Sequence, residues 1–242
     1  MQKKFLSFCA LIVSLFLTAS LRAETITIAA GAGYKRPLME IAEKFEKKTG
    51  NHVDAVFGHM QQILSQAQMT GQVSVIFGDR SFFDRSTIGF VSYYPVGKGT
   101  LVLAWRKGLS LNSIDDLRRK SFSRVALADE KKAIYGHAAA EFLKKSGLSR
   151  SIQGKLIVVA TVPQVSAYLE TGEVDAGFIN VTDAIGIHEH IGGYLPVRQS
   201  FYTPIHIEAG VVTGFENQAV VKAFLKFMQE KECLAVLRYY GL

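Results

Sequence analysis

The sequence predicts an α/β protein of two lobes, each a mostly parallel sheet flanked by helices, with two crossover strands joining the lobes. Two observations lead to this prediction. Short β-branched runs alternate with amphipathic stretches along most of the chain, and two aromatic passages that contain proline, at 93–99 and 201–204, interrupt the alternation. Strands that alternate with helices form parallel sheets covered on both faces. The two passages are interpreted as the points where the chain crosses between lobes.

The first lobe begins with a strand, a turn and a helix. Residues 25–30 are β-branched or apolar, the turn 31–33 is made of small residues, and Pro37 is typical of the first turn of a helix. Apolar residues then recur at helical spacing until Thr49 and Gly50 end the pattern. The same reading predicts a strand at 53–57, a helix at 61–69 and a strand at 73–77.

The second lobe begins with an apolar strand at 101–105. The alternation continues with strands at 124–128, 156–159 and 175–180 and helices at 136–145 and 163–170. A single amphipathic helix is predicted from Gln218 to Leu237, and it returns to the first lobe. The predicted organisation is therefore a signal peptide at 1–23, lobe I at 24–98 plus 205–242, and lobe II at 99–204.

The N-terminal segment has the pattern of an export signal. Lys3 and Lys4 precede an apolar run from Phe5 to Leu17, which is too short to span a bilayer comfortably. Cleavage is predicted after Ala23, which makes the mature protein periplasmic. A retained anchor helix is the alternative, and it is disfavoured because no long apolar continuation follows.

Composition narrows the classes of partner. Loss of Lys3, Lys4 and Arg22 with the signal lowers the formal charge from +7 to +4. This mild excess is compatible with an anionic ligand, and it lacks the concentrated basic stripe of a nucleic-acid binder. Cys233 is the one cysteine after position 23, so an intrachain disulfide or a thiolate metal cluster is not expected.

Catalytic and cofactor motifs are weak. The run 31–36 opens like a dinucleotide fingerprint, but its sixth position is Arg36, where close packing needs Gly or Ala. His188 and His190 would share one face of an extended segment, although the glycines around them favour a surface loop. The sequence therefore predicts no metal, no cofactor and no catalytic residue.

Several short motifs are spread over nearly the whole mature chain. They are Ile28-Ala29-Ala30, Leu38-x-x-Ile41-Ala42-x-x-Phe45-x-x-x-Thr49-Gly50, Glu170-Thr171-Gly172-Glu173-Val174-Asp175-Ala176-Gly177-Phe178, Thr182-Asp183-Ala184 and Tyr240-Gly241-Leu242. In their order and spacing these motifs together resemble the periplasmic molybdate-binding proteins of ABC transporters, which have the type II periplasmic solute-binding fold. The resemblance implies two lobes that close around a bare oxyanion held by hydroxyls and by backbone N–H groups at helix N-termini.

The resemblance also implies where the ligand contacts lie. Backbone donors are carried over to Gly78 or Asp79, to Tyr135 and to Val162. The side-chain ligands differ from the family pattern, because Gly33, the pair His59-Met60 and Asn180 stand where the family has hydroxyl residues. A remodelled pocket is therefore expected, and its candidate new contacts are Tyr34, Lys35, Arg36, His59, Gln61 and Asn180.

Three of these candidates have plainer interpretations. Lys35 and Arg36 could simply form a solvated helix start, although cations near a helix N-terminus oppose its dipole. His59 could cap the helix that follows it. Gly33 in place of a hydroxyl residue would widen the pocket or admit a backbone donor, which points to a ligand larger than, or protonated differently from, a plain tetrahedral oxyanion.

The leading functional hypothesis is a monomeric receptor that captures a small oxyanion, such as molybdate or tungstate, for an ABC permease. The first alternative is a receptor for an organic anion or metal chelate, bound through Arg36 and His59. A second is an exported enzyme in which His59 forms an acid–base pair with Asp79 or Asp183. A sensor subunit that presents the same binding module to a membrane kinase is a further alternative.

Overall fold

A computed structural model describes residues 23–242. Of the predicted signal peptide, residues 1–22 lie outside the described residues. Within residues 23–242, no helix is both long and apolar enough to cross a bilayer.

Lobe I is built on a five-stranded mixed sheet with the strand order β2-β1-β3-β10-β4. Strand β1 runs parallel to β2 and to the central strand β3, whereas β10 is antiparallel to β3 and β4. The strands are β1 (Thr25–Gly31), β2 (His52–Gly58), β3 (Val75–Asp79), β4 (Phe90–Gly99) and β10 (Ile205–Val212). The helices are α1 (Lys35–Thr49), α2 (Met60–Thr70), α3 (Arg80–Asp84), α8 (Ala219–Phe227) and α9 (Lys231–Tyr239).

Lobe II repeats this plan with the strand order β7-β6-β8-β5-β9. Strand β6 is parallel to β7 and β8, and β5 is antiparallel to β8 and β9. The strands are β5 (Leu101–Arg106), β6 (Val125–Ala128), β7 (Leu156–Val159), β8 (Ala176–Asn180) and β9 (Ile191–Pro196). The helices are α4 (Ile134–Lys145), α5 (Ser149–Ile152), α6 (Val162–Thr171) and α7 (Val181–Gly186).

The two-lobed α/β prediction is confirmed, with a correction to the sheets. In each sheet two of the four strand pairings are parallel and two are antiparallel, and β4, β9 and β10 were not predicted as strands. The antiparallel strands adjoin the crossings between sheets, which occur at Thr100 and between Pro196 and Ile205. Most residues of strand β4 are half-buried or exposed, and the strand lacks the apolar pattern of a core strand. The exact lobe boundaries stay a prediction.

The predicted single C-terminal helix is wrong, because the chain breaks into α8 and α9. Glu230 has extended backbone, with φ −74° and ψ 152°, and serves as the N-cap of α9. The break brings the carboxylates of Glu230 and Glu232 to the ammonium of Lys48 on α1. Helix α8 meanwhile packs Phe224 on Phe45, with their ring centroids 5.1 Å apart. Both short helices therefore contact α1.

The fold brings helix N-termini to the space between the lobes. Helix α2 follows the carboxyl end of β2, and α4 and α6 follow the carboxyl ends of β6 and β7. The carboxyl ends of parallel strands lie at one edge of a sheet, and in open α/β sheets this edge is where ligands bind. The candidate site is therefore expected where these edges of the two sheets face each other.

Candidate functional site

A small cavity lies between the two lobes at these facing edges. Its volume is about 20 Å³, counted as space open to the centre of a water-sized sphere. The residues that line it come from four strand-to-helix connections: Gly31, Ala32, Gly33, Tyr34, Gly58, His59, Met60, Ala133, Ile134, Tyr135, Thr161 and Val162. This space holds little more than one water, which needs about 10–15 Å³, so a tetrahedral oxyanion requires the lobes to lie slightly further apart than here.

Two uncapped helix N-termini from lobe II border the cavity. The N-cap residues of α4 and α6 are Ala133 and Thr161, and neither makes a side-chain capping bond. The N–H groups of a helix's first turn have no partner within the helix, and they carry the positive end of its dipole. Tyr135 and Val162, the predicted backbone-donor positions, lie in these first turns. The arrangement is suited to an anion.

Helix α2 differs, because His59 caps it. The His59 Nδ1 atom accepts a hydrogen bond from the Gln62 N–H at 3.1 Å. Burial and the nearby Lys132 lower the pKa of His59 below its ordinary value. Capping through Nδ1 requires an unprotonated Nδ1, so the lowered pKa and the cap are consistent with each other. The capping interpretation of His59 is thus the one that the structure shows, although the ring also borders the cavity.

Tyr34 and Tyr135, which both line the cavity, meet each other between the lobes. Their hydroxyl oxygens are 2.9 Å apart, and the two side chains come from opposite lobes. Tyr34 is 2% exposed and Tyr135 is 3% exposed. Burial is the main cause that raises the pKa of both phenols, so both keep their protons at neutral pH. These hydroxyls are polar side-chain groups at the cavity that carry no charge.

Asn180 connects the lobes beside the cavity. Its Nδ2 donates to the Gly33 carbonyl at 3.0 Å, although Asn180 is the N-cap of α7 in lobe II. Asn180 is fully buried and its Oδ1 has no partner among the residues that the structure describes. Two departures from the family pattern, Gly33 and Asn180, are therefore in direct contact.

The cationic candidates lie away from the cavity lining. Lys35 is exposed at the start of α1. The Arg36 guanidinium pairs with the carboxylate of Asp183, which also accepts a hydrogen bond from the Ser166 hydroxyl. Burial raises the pKa of Asp183, and Ser166 and Arg36 oppose that rise. Arg36 therefore makes an ion pair between lobes rather than a contact with the cavity.

Met60 and Gly78 form an apolar wall next to the site. Met60 is 1% exposed, and a Cβ on Gly78 would lie 2.6 Å from its Sδ. Asp79 is buried and occupied: its Oδ1 caps α3 by accepting from the Ser81 N–H, and its Oδ2 accepts from the His206 N–H at 2.9 Å. Neither Gly78 nor Asp79 lines the cavity in the described part of the chain.

Gln61 lies at the edge of a wider groove between the lobes. Its N–H approaches the Lys132 carbonyl at 3.4 Å, which adds another contact between α2 and lobe II. The groove has a volume of about 740 Å³ and is open to solvent. The structure thus brings Gly33, Tyr34, His59, Met60, Tyr135 and Val162 together at one cavity. It leaves Lys35, Arg36, Gln61, Gly78, Asp79 and Asn180 outside that lining.

Sequence reasoning missed Thr161 and Ile134 in the lining and the role of Asp183. Ile134 and Thr161 immediately precede Tyr135 and Val162, which were predicted as backbone donors, so including whole helix starts among the candidates would have found them. Asp183 was considered only as an acid–base partner of His59. The structure instead gives its carboxylate Arg36 and Ser166 as partners.

The histidine segment does not form a metal site. Residues His188–His190 make a short 3-10 helix with exposed side chains, instead of an extended segment. No cluster of three or more metal-ligating side chains occurs within residues 23–242.

Comparisons with known proteins agree with this architecture. The family described as bacterial extracellular solute-binding protein matches residues 26–242. The molybdate-binding protein ModA of Rhodobacter capsulatus is 28% identical over 239 residues, covering 96% of this chain and 92% of the relative. Among solved structures, the periplasmic molybdate-binding protein of Azotobacter vinelandii has a TM-score of 0.81 at 21% identity, covering 89% and 97% of the two chains.

A second solved structure extends the comparison. PEB3 with bound L-phospholactate has a TM-score of 0.71 at 15% identity, covering 89% of this chain and 98% of that chain. These likenesses confirm the predicted fold, and the match over residues 26–242 confirms the predicted class of receptor. The chain therefore belongs to the family of bacterial extracellular solute-binding proteins.

Proposed function

We propose that this protein is the receptor of an ABC uptake system and captures a compact oxyanion, of the class of molybdate and tungstate, between its lobes. The observation that carries the proposal is the convergence of the uncapped N-termini of α4 and α6 on a cavity of about 20 Å³. Backbone N–H groups and helix dipoles favour negative charge without a full positive charge nearby. The relative from Rhodobacter capsulatus, named for molybdate binding, supports the same ligand class.

Size supports a bare oxyanion over an organic anion or a metal chelate. In this closed arrangement Met60, Tyr34 and Tyr135 fill much of the space around a cavity of about 20 Å³, so a bare oxyanion needs the least further separation of the lobes. The widening that Gly33 was expected to cause is offset, because Asn180 occupies the space beside it. A larger solute would require the lobes to stay further apart.

A binding role is also favoured over an acid–base enzyme. His59 uses Nδ1 to cap α2, Asp79 binds Ser81 and His206, and Asp183 pairs with Arg36. Neither carboxylate is among the hydrogen-bond partners of His59 within residues 23–242. The groups that the enzyme hypothesis needs are thus engaged elsewhere.

The test is calorimetric titration of protein that has been unfolded, stripped of ligand and refolded. Molybdate, tungstate, sulfate and phosphate are titrated separately, and L-phospholactate represents the organic anions, since PEB3 binds it with the same fold. Saturable binding of molybdate or tungstate with a raised melting temperature is expected. Binding of L-phospholactate alone would support the organic-anion alternative, and heat from none of the five would contradict the proposal.

We also propose that the mature protein is an exported monomer that delivers its solute to a membrane permease and does not bind nucleic acid. The extracellular description of the family and the apolar segment at 5–17 support export. N-terminal sequencing of the periplasmic protein, expected to begin near Glu24, tests cleavage after Ala23.

A further inference from the structure

The Tyr34 and Tyr135 hydroxyls form a buried pair in which one O–H donor has no acceptor. Each phenol has one O–H donor, and in a bond between two hydroxyls one of them donates and the other accepts. Among the described residues, each hydroxyl has the other as its one hydrogen-bond partner. One O–H of the pair is therefore left without an acceptor in a region from which water is largely excluded.

An unsatisfied buried donor is unfavourable unless something in the cavity accepts from it. Both tyrosines line the cavity, and no lysine or arginine is among the lining residues described here. An oxyanion has oxygens that accept hydrogen bonds, and it can be bound without a charged partner. The spare O–H can therefore donate to a ligand oxygen, as can two other groups of the lining, the Thr161 hydroxyl and the His59 Nε2–H.

The phenols are suited to remain donors. Burial, the largest cause, raises the pKa of both, and their mutual proximity adds to the rise for Tyr34. Ionisation would place a negative charge beside the anion, and the raised pKa values prevent it across the physiological range.

We propose that the Tyr34–Tyr135 pair donates a hydrogen bond to the captured oxyanion through its spare O–H and is a side-chain hydroxyl donor of this site. The inference rests on the proposed function and deepens it, because it assigns the hydroxyl donors that Gly33, Met60 and Asn180 do not supply. The two phenols come from opposite lobes, so the bond between them forms only when the lobes are closed. Closure thus assembles the donor at the moment of capture.

The experiment compares molybdate and tungstate affinities of ligand-stripped wild type with those of the Tyr34→Phe and Tyr135→Phe variants. Both variants keep the ring and its packing. A hydrogen bond to a charged group is worth enough that the more affected variant should bind about 10- to 100-fold more weakly. Because one ligand bond is shared by the pair, the double variant should lose little more than the more affected single variant.

Tyr168→Phe is the matched control, since it removes a phenol hydroxyl that accepts from Gln164 on α6 and lies outside the cavity lining. Its affinity should stay within twofold of wild type. Melting temperatures report folding, and two separate single variants keep the test decisive if one of them is unstable. If wild type binds and the folded single variants bind with the same affinity, the tyrosine assignment is overturned and the proposed function stands. Absence of binding by wild type overturns both.

Discussion

Asn180 lies directly over Gly33 across the boundary between the lobes. The Asn180 amide donates to the Gly33 carbonyl at 3.0 Å, and a Cβ on Gly33 would lie 2.8 Å from Asn180 Oδ1. Such a separation is too short for a real Cβ contact, so the amide can occupy this place only because residue 33 is glycine. Both positions depart from the family pattern, and the structure gives a common physical reason for the two departures.

Gly33→Ala should therefore weaken solute binding through Asn180. The added methyl group forces the amide away, and overpacking of this kind costs about 1–3 kcal/mol. Asn180→Ala in the same chain should restore part of the loss, because it removes the group that the methyl meets. Affinity and melting temperature of the single and double variants measure the coupling. If Gly33→Ala lowers affinity and melting temperature equally in the wild-type and Asn180→Ala backgrounds, this account is contradicted.

Arg36 and Asp183 should stabilise the closed arrangement. The carboxylate is 2% exposed and the guanidinium is 39% exposed, and they belong to different lobes. Arg36→Met leaves the carboxylate without its ion-pair partner, and we expect the closed arrangement to lose about 1–3 kcal/mol of stability. This loss is smaller than for a fully buried pair, because water screens Arg36. Ligand dissociation should accelerate and the radius of gyration in X-ray scattering should increase.

The double variant Arg36→Met/Asp183→Asn serves as the control for that prediction. It removes the unpaired charge as well as its partner, so it should bind more tightly than Arg36→Met alone. If the double variant binds more weakly than Arg36→Met, the ion pair is not the source of the effect.

His59 should make stability depend on pH. Burial and Lys132 lower its pKa in the folded protein below 6.5, and Asp129 opposes the shift. The unfolded chain then binds the proton more tightly, so this contribution is complete above about pH 6.5 and is lost as pH falls through the lower folded-state pKa. His59→Asn keeps a capping side chain that does not titrate. Melting curves should show a smaller loss between neutral and mildly acidic pH for this variant than for wild type.

Met60→Ala should enlarge the cavity and broaden the range of ligands. Met60 is 1% exposed beside Gly78, and its truncation should cost about 2–5 kcal/mol of unfolding free energy. The vacated volume adjoins the cavity, so L-phospholactate should bind more tightly relative to molybdate than it does to wild type. Competition titrations measure the ratio, and an unchanged ratio would show that Met60 does not limit ligand size. Met69→Ala, on the exposed end of α2, is the matched control.

Much of the fold could be predicted from local pattern, because most core strands and helices are buried on regular faces. Helix α1, for example, buries Leu38, Ile41 and Phe45 at helical spacing and ends at Gly50, which has the positive φ of 74° that favours glycine. Strands β4 and β10 were not predicted, since β4 lacks an apolar pattern and both are positioned by pairing across the crossings. The break at Glu230 was not predicted either, and the partner of the Glu230 carboxylate, Lys48, is distant in sequence.

The α/β class, the N-terminal pattern of an export signal and the helix starts that supply backbone donors could all be predicted from local sequence, since each of these is encoded by neighbouring residues. Which side chains share the cavity depends on the tertiary structure. Lys35 and Arg36 stand next to Tyr34 in the chain, yet Tyr34 faces Tyr135 whereas Arg36 pairs with Asp183. The partners of both are more than 100 residues away. Successive residues at a helix start point in different directions, so their roles depend on what the opposite lobe presents to each of them.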